Sequence, residues 1–433
     1  MRVLGIGHHV ALGDLYLRLI SRDCEVRVFA EEDPDVLEGD LPRCKDWREQ
    51  LAWVGKDGVI LFESTGLGPQ QDELRAQGYR VFGGSAFGDR LELERHFGQQ
   101  VAAACGMRTA TTRSFHSFED AIAFVRLEPA RYVLKFDGDT LAKTRNYVAR
   151  LDDGTDLIAM LQHQQRTFPN NEPPLFVLMD HLQGVEVGVG GFFDGRRFLT
   201  PTNLDFEHKR FFPGDLGELT GEMGTLVSYR HSEKLFAATL GRVAPLLAEA
   251  RHVGYVNLNL IVNEEGAFPL EFTSRLGVPG FAILDALHVD PWDTILRRVL
   301  EREDSLATRD GYAVGVVLTV PPFPYPDGYE RLGKNTPIHL HGIEPHEREH
   351  LHYAEVRRSG DQLLTAGQVG YVMVVTGVGA TAQDARRSSY ALVDKVVIPN
   401  LRYRADIGAA YELRDHRELV RLGWLPRDVR AMA

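Results

Sequence analysis

The sequence predicts a multidomain protein of mixed α/β and α+β class, whose first domain is built on a parallel sheet. The chain has 433 residues, which corresponds to roughly two to four domains. In its N-terminal part, short apolar runs alternate with helical patterns, which favours parallel pairing in a doubly wound sheet. Hydrophobic residues make up 44% and charged residues 25% of the chain, as in ordinary globular proteins.

The N-terminal segment contains four apolar runs that we expect to form strands, with a helical stretch near Gln70–Gln77. These runs are Val3–Ile6, Cys24–Ala30, Gly58–Glu63 and Tyr79–Gly83. Ligands of doubly wound sheets bind beyond the carboxyl ends of the strands. Two of these ends carry Gly7-His8-His9 and Glu63-Ser64. We interpret these residues as candidate substrate contacts, with local packing and helix capping as the alternative.

The rest of the chain mixes helices with longer strands. Helices are expected at Asp89–Cys105, at 121–126 behind a capping box that begins at Ser117, at about Ser232–Ala250, and from a cap at Thr381 to about Val396. Strands are expected at Tyr132–Phe136, Leu175–Leu182, Glu186–Phe193, Tyr312–Val320 and Tyr371–Thr376, with a hairpin of Tyr255–Asn263 and Ala267–Phe272.

Charge and composition exclude several classes of function. The formal net charge is −12, from 49 Lys plus Arg against 61 Asp plus Glu, so we expect no non-specific binding to nucleic acid. No apolar run is long enough to span a membrane. The three cysteines are scattered, without a disulfide framework or zinc spacing. Together with an N-terminus that does not resemble a signal peptide, this predicts a cytoplasmic protein.

Two lysines suggest a phosphate site. Lys135 lies inside the apolar strand Tyr132–Phe136, and Lys143 follows eight residues later. Lysine is rarely buried without a partner, so a lysine in such a strand is a candidate phosphate ligand. The alternative is a lysine on an edge strand that faces water.

A carboxylate on the predicted hairpin suggests a metal site. Glu271 lies between apolar neighbours near a strand end, and Asn259 on the preceding strand faces the same way if the hairpin pairs as expected. Oxygen ligands of this kind suit Mg²⁺. Arg275, four residues on, suits a phosphate or carboxylate, although a structural ion pair with Glu271 is the alternative.

One zinc-protease pattern is discounted. His346-Glu347-Arg348-Glu349-His350 has the required spacing, but a strand pattern follows at once, and a single helical turn is a poor platform for two ligands.

The order of these motifs resembles the phosphoribosylamine–glycine ligase (glycinamide ribonucleotide synthetase) family of the ATP-grasp superfamily. The resemblance covers about residues 1–410. The motifs are Phe82-Gly83-Gly84-Ser85, the Lys135 strand, Gln183-Gly184-Val185-Glu186, Thr220-Gly221-Glu222-Met223-Gly224, Leu270-Glu271-Phe272-Thr273-Ser274-Arg275 and Arg404-Ala405-Asp406-Ile407-Gly408.

The resemblance implies three domains and one type of reaction. A Rossmann-like N-terminal substrate domain would span residues 1–101, an ATP-grasp core 102–305 with a lid at about 112–182, and a β-rich C-terminal domain 306–425. Such enzymes use ATP and Mg²⁺ (or Mn²⁺) to form an acyl phosphate, which an amine converts to an amide with release of ADP and phosphate. The partners are then a small carboxylic acid and an amine, and the protein a monomer or homodimer.

The resemblance also assigns roles to individual residues. It implies Arg275 and Lys143 in catalysis. The nucleotide would contact Arg95, Lys135, Lys143, Leu178, Met179, Asp180, Leu182 and Glu186. The metal would be held by Glu271, with Thr273 in place of the family's asparagine and Asn259 as a further ligand. The substrates would contact Gly7, His8, His9, Glu63, Ser64 and Gly277.

The departures from the family favour altered substrates, while the family's own reaction with glycine and phosphoribosylamine stays open as an alternative. The family has an aspartate and a glutamate where this chain has Val278 and Gly280, next to the expected position of the small amino acid. Its lid loop is also richer in glycine. Because of these changes, two alternatives stay open: a nucleotide-binding pseudo-enzyme, and an ATP-grasp phosphotransferase that forms no amide.

Overall fold

The computed structural model describes residues 1–136, 145–168 and 175–427. Its strands, in chain order, are β1 (Arg2–Gly7), β2 (Glu25–Ala30), β3 (Val59–Phe62), β4 (Arg80–Phe82), β5 (Thr112–Phe115), β6 (Tyr132–Phe136), β7 (Tyr147–Val148), β8 (Phe176–Asp180), β9 (Val185–Asp194), β10 (Asn203–Glu207), β11 (Arg210–Phe212), β12 (Leu216–Leu219), β13 (Gly224–Ser228), β14 (Val253–Asn263), β15 (Gly266–Thr273), β16 (Tyr312–Thr319), β17 (Pro337–Leu340), β18 (Leu351–Tyr353), β19 (Val356–Ser359), β20 (Gln362–Thr365), β21 (Tyr371–Gly379) and β22 (Val396–Val397). Its α-helices are Gly13–Ser21, Leu51–Val54, Gly68–Ala76, Ala86–Leu93, Arg95–Ala104, Phe118–Leu127, Thr155–Thr167, Glu233–Ala238, Ala244–Glu249, Gly280–Asp285, Trp292–Glu301, Tyr329–Leu332, Ala382–Val393 and His416–Arg421.

The N-terminal segment forms the predicted parallel sheet. Its strand order is β2-β1-β3-β4, and all three pairings are parallel. All four residues of β3 are buried, as expected for a parallel strand covered on both faces. The prediction of a doubly wound first domain is confirmed.

A second four-stranded sheet has the order β5-β8-β6-β7. It lies within the residues predicted to form the lid, and we call it the lid sheet. One face packs on the helices Phe118–Leu127 and Thr155–Thr167 around a core of aromatic rings, in which Phe118 and Phe176 stack at 5.2 Å. Along β6, Tyr132, Leu134 and Phe136 point into this core. Because side chains alternate along a strand, Lys135 points to the other face.

The centre of the molecule is an antiparallel sheet of eight strands in the order β15-β14-β9-β10-β13-β16-β21-β18. Strands from the predicted core and from the predicted C-terminal domain pair directly, because β13 lies next to β16. The C-terminal segment therefore extends the core sheet and adds a smaller sheet, β19-β20-β17-β22. The exact domain boundaries stay a prediction.

Two helices differ from the sequence prediction. The expected helix Ser232–Ala250 is broken at Thr239, whose φ of −133° and ψ of −99° are not helical, and a 3₁₀ turn over Leu240–Val243 then leads into the helix Ala244–Glu249. The helix over Asp89–Cys105 is interrupted at Glu94. As expected, the histidines of the zinc-protease pattern lie on a short helix, of 3₁₀ type, that leads directly into β18. Within the described ranges, no helix is long and apolar enough to cross a bilayer.

Candidate active site

A cleft of about 1110 Å³ lies between the lid sheet and the central sheet. Its floor is one face of the central sheet, because alternate residues of neighbouring strands point the same way. Register places Glu271 opposite Asn259, Asn259 opposite Gly188, and Gly188 opposite Asp205. These four residues form one row across four strands, as does the neighbouring row of Thr273, Asn257, Gly190 and Asn203.

Three cationic side chains converge on Glu271 at one end of this floor. Arg95 Nη1 lies 2.6 Å from Glu271 Oε2, and Lys135 Nζ lies 3.7 Å from the same oxygen. Lys209 Nζ lies 2.8 Å from Glu271 Oε1. Lys209 also pairs with Glu186 at 3.1 Å and with Glu207 at 3.3 Å. The groups come from the helix Arg95–Ala104, from β6, from the end of β10 and from β15, so only the folded chain assembles them.

The charges of this cluster shift each other's pKa values. Burial alone would raise the pKa of Glu271, but Lys209, Arg95 and Lys135 outweigh it and hold that pKa well below its usual range. Burial, reinforced by the charge of Arg95, lowers the pKa of Lys135 to about 8. Burial would also lower the pKa of Lys209, but the carboxylates, Glu271 first, raise it well above normal. At neutral pH the cluster therefore contains an ionised carboxylate, Glu271, and a lysine, Lys135, whose pKa lies only slightly above the pH of the solution.

A second group of polar residues, the acid–amide zone, lies further along the floor. It consists of Asn203, Asp205, Glu222, Tyr255 and Asn257. Asp205 Oδ2 accepts hydrogen bonds from the side-chain amides of Asn257 at 2.6 Å and Asn203 at 3.0 Å. The Tyr255 hydroxyl donates to Asn203 Oδ1 at 3.0 Å. Burial and the nearby Glu207 raise the pKa of Asp205, and burial, Glu207 and Asp205 raise that of Glu222.

Two glycines make room for this zone. A Cβ atom on Gly188 would lie 1.9 Å from Asp205 Oδ1, and a Cβ on Gly190 would lie 1.9 Å from the Tyr255 hydroxyl. Such distances are impossible for real atoms, so a larger residue at position 188 or 190 would displace Asp205 or Tyr255.

Arg275 lies at the edge of the cleft and is fixed by an ion pair with Glu92. Its guanidinium pairs with Glu92 at 3.2 Å, and the other oxygen of Glu92 accepts the backbone N–H of Ser274 at 2.8 Å. The ion pair between Arg275 and Glu271, which the sequence left open as the alternative, does not form, because Arg275 pairs with Glu92. Arg275 is thus oriented by Glu92 and lines the cleft.

The predicted nucleotide residues are mostly brought together. Met179, Asp180, Leu182 and Glu186 line the cleft near Lys135 and Arg95. Leu178 instead points into the core of the lid sheet, because it has the opposite parity to Met179 along β8. Lys143 lies outside the described residues.

The predicted metal ligands also meet. Asn259 and Glu271 are direct register neighbours, as the hairpin prediction expected, and Thr273 follows at the end of β15. Asn259 Nδ2 donates to Glu207 Oε2 at 3.0 Å, which leaves the amide oxygen of Asn259 as an acceptor. Carboxylate and amide oxygens are preferred ligands of Mg²⁺, and the Lys209 ammonium already bridges Glu271 and Glu207. The donor set therefore fits a hard divalent cation.

The predicted substrate residues of the N-terminal domain lie elsewhere. Gly7, His8, His9, Glu63 and Ser64 are at the carboxyl ends of β1 and β3, and within the described ranges they do not line the cleft. Their partners are local: His8 contacts Glu31 at 2.7 Å and His9 contacts Asp33 at 2.9 Å.

Glu63 in particular makes its hydrogen bonds within the N-terminal segment. It is buried and accepts the Tyr16 hydroxyl at 2.7 Å and the Leu12 N–H at 2.6 Å. Gly277, by contrast, does line the cleft.

Several lining residues were not singled out from the sequence. Lys209, Glu207 and Asp205 alternate with apolar or aromatic neighbours at the end of β10, and this alternation was the available signal. Arg404 is buried at the cleft wall, where it pairs with Asp215 at 2.8 Å and with Asp406 at 2.5 Å. Arg404 begins the motif Arg404-Ala405-Asp406-Ile407-Gly408, which contributes to the resemblance, but the resemblance assigned no role to it.

Comparison with known proteins gives the same assignment over most of the chain. Residues 94–280 match the ATP-grasp (A) domain of phosphoribosylglycinamide synthetase, and residues 313–410 match its C domain. A phosphoribosylamine–glycine ligase of Halalkalibacterium halodurans is 28% identical over 392 residues, which cover 88% of this chain and 86% of the relative.

Solved structures show the same fold. Phosphoribosylamine–glycine ligase from Thermotoga maritima superposes with a TM-score of 0.72 at 22% identity, covering 94% of this chain and 100% of the other. The biotin carboxylase domain of a 2-oxoglutarate carboxylase from Hydrogenobacter thermophilus, solved with MgADP, has a TM-score of 0.64 at 9% identity and covers 93% and 91%. The two matched domains and the shared fold confirm the predicted resemblance, and the chain belongs to the phosphoribosylglycinamide synthetase family of ATP-grasp ligases.

Proposed function

We propose that this protein is an ATP-dependent carboxylate–amine ligase that binds MgATP at the Glu271 end of the cleft. One observation carries the proposal: Arg95, Lys135 and Lys209, from three separate elements, converge on one carboxylate at the floor of the cleft. Positive side chains that surround a metal-ligating carboxylate are what transfer of a phosphoryl group requires, because charge on its oxygens must be neutralised.

The reaction has two steps. A carboxylate oxygen of the acid attacks the γ-phosphorus of ATP, the bond between that phosphorus and ADP breaks, and an acyl phosphate forms. The nitrogen of the amine then attacks the carbonyl carbon, the C–O bond to phosphate breaks, and the nitrogen loses a proton. The products are an amide, ADP and phosphate.

The residues divide this work by position. Lys135 and Arg95 contact the phosphates, while Met179, Asp180 and Leu182 border the adenine and Glu186 the ribose. Arg275, held by Glu92, orients the acid and the transferring phosphoryl group. Lys143 is proposed to act beside it.

Glu271, Asn259 and Thr273 would hold Mg²⁺, which supplies charge neutralisation at the phosphates. Thr273 is the weakest of these ligands, because a neutral hydroxyl replaces the amide found in the family. Glu207, 3.0 Å from Asn259, is placed to compensate.

We propose further that the substrates differ from glycine and phosphoribosylamine. Val278 and Gly280 line the cleft, and a Cβ atom on Gly280 would meet nothing within 4 Å. The space for the family's acidic side chain therefore exists, but this chain does not fill it. The resemblance implies that those acids border the small amino acid, so their absence supports a different substrate pair.

A coupled ADP-release assay tests the ligase. ADP release that requires both an acid and an amine supports it, release with an acid alone indicates a phosphotransferase, and bound nucleotide without release indicates a pseudo-enzyme. Glycine with freshly generated phosphoribosylamine tests the family's parent reaction.

Glu271→Gln is the decisive variant. It should lower kcat by about 10²–10³ and retain nucleotide binding, because the three cations around position 271 remain. Asp361→Asn, on the exposed turn after β19, serves as the matched control. Unchanged kcat in Glu271→Gln would refute the site.

A further inference from the structure

The acid–amide zone contains two carboxyl groups, Asp205 and Glu222, and within the described ranges no cationic side chain forms an ion pair with either. Lys209 pairs with the carboxylates nearer the nucleotide end, and the protein partner of Glu222 is the neutral hydroxyl of Thr225. Burial and the neighbouring carboxylates raise the pKa of both groups, whereas a bound cation would favour their ionised form. The zone is therefore suited to a cationic ligand.

One oxygen of Asp205 marks where that ligand would bind. Asp205 is only 4% exposed and lines the cleft. Its Oδ2 accepts two amide hydrogen bonds, but its Oδ1 is buried without any hydrogen-bond partner, above the open surface of Gly188. A buried acceptor without a donor is destabilising, and a ligand with N–H donors would satisfy it.

The chemistry favours an organic cation over a metal ion. Among the described residues, no three His, Cys, Asp or Glu side chains are arranged to hold a metal. The Nδ2 groups of Asn203 and Asn257 already occupy Asp205 Oδ2, so Oδ1 is the oxygen that a ligand can reach. An ammonium or guanidinium group instead brings several N–H donors to separated acceptors.

We infer that the amine substrate is an organic cation whose ammonium or guanidinium group binds to Asp205 and Glu222. This rests on the proposed ligase function and names the substrate class for it. This chain lacks the acidic side chains that the resemblance implies at positions 278 and 280, whereas two carboxyl groups of the acid–amide zone, Asp205 and Glu222, line the cleft. A phosphate-bearing amine would be repelled there, whereas a positively charged amine would be attracted.

The location suggests a substrate with two functional ends. Asp205 lies in the same row as Glu271, three strand spacings away, which is roughly 14 Å between backbones. The cationic end would be held at the acid–amide zone while the other end reaches the acyl phosphate.

Binding of two simple probes tests this. The probes are 1,4-diaminobutane and agmatine, measured by calorimetry on the full chain loaded with MgADP, with 4-amino-1-butanol as a comparison that lacks the second cation. We expect at least one of the two probes to bind at least tenfold more tightly than the amino alcohol. Asp205→Asn and Glu222→Gln should each weaken it at least tenfold, whereas Asp361→Asn should change it less than twofold.

Several outcomes would overturn the inference. They are no binding of either probe at millimolar concentration, unchanged affinity in both variants, or loss of MgADP binding in both variants, which would show a structural role. Loss of Mn²⁺ binding in Asp205→Asn without an effect on the amine would reveal a metal site instead.

The ADP-release assay separates this inference from the proposed function. If amine binding depends on Asp205 but no acid gives ADP release, the ligase function is refuted and the amine site is supported. Ligation that uses neutral or phosphorylated amines and is insensitive to Asp205→Asn retains the ligase and overturns the site.

Discussion

Raising the pH from 7.5 to 9 should weaken nucleotide binding through a single residue, Lys135. Burial, reinforced by the positive charge of Arg95, lowers the pKa of Lys135 to about 8. A lysine carries its charge below its pKa and loses it above. The free enzyme therefore loses one phosphate-binding charge over this pH range, whereas ordinary lysines, which titrate near 10.4, keep theirs.

The expected size follows from the charged fraction. With a pKa of about 8, roughly three quarters of Lys135 is protonated at pH 7.5 and roughly one tenth at pH 9. A bound triphosphate favours the ammonium form, so the complex stays protonated over this range. The apparent affinity is then scaled by the competent fraction of the free enzyme, and the Kd for MgATP should rise roughly eightfold.

The measurement is calorimetric titration with MgATP, without acid or amine, at four pH values from 7.5 to 9. Lys135→Arg is the matched variant, because a guanidinium keeps its charge at every pH used. Its Kd should change less than twofold over the range. Parallel urea unfolding curves at each pH would show that the fold itself is constant.

Two results would refute the reasoning. A Kd in the wild type that is constant from pH 7.5 to 9 would show that Lys135 does not titrate there or does not contact the phosphates. An equal rise in Lys135→Arg would show that another group titrates.

Two further predictions concern stability. Burial raises the pKa of Glu63 to about 7, despite hydrogen bonds from Tyr16 and Leu12. The stabilisation that protonated Glu63 gives the folded state is therefore complete below the unfolded pKa near 4.5 and is lost as the pH rises through 7, which lowers the free energy of unfolding by about 3 kcal/mol. Glu63→Gln should reduce the difference in urea midpoint between pH 5 and pH 8. An unchanged difference would count against this. Thr381 Oγ1 accepts the Asp384 N–H at 3.1 Å, so Thr381→Ala should cost about 1 kcal/mol and lower Tm, whereas no shift would show that this helix end frays.

Local patterns predicted most elements but not the breaks within them. The parallel strands and the hairpin of β14 and β15 follow from apolar runs bounded by turn residues. The cap at Ser117, whose hydroxyl accepts the Asp120 N–H, follows from a short motif. The prediction of one helix across Thr239 was wrong because the apolar spacing is helical on both sides of it, whereas the backbone at Thr239 leaves the helical region and a 3₁₀ turn follows.

The site was predictable only where its residues are close in sequence. Asn259 and Glu271 face each other because a hairpin fixes their register. Lys209 lies 62 positions before Glu271, in the connection between β10 and β11, so no local pattern could connect them. Leu178 shows a different limit. Its strand was predicted to border the nucleotide, but side chains alternate along a strand, and Leu178 points into the core of the lid sheet instead of the cleft.

The arrangement of the floor explains how one half of the cleft can change while the other is retained. Glu271, Lys135 and Arg95 depend on the edge hairpin, the lid and the helix Arg95–Ala104 for their positions, whereas Asp205 and Glu222 depend on β10 and the turn before β13. Between these groups lie Gly188 and Gly190, which have no side chains, so the two ends communicate through polar links: the hydrogen bond from Asn257 to Asp205 and the ion pairs of Lys209 with Glu207 and Glu271. Asp205→Asn changes the charge offered to the amine and keeps an oxygen that can accept the Asn257 hydrogen bond, so it should leave the positions of the phosphate ligands unchanged.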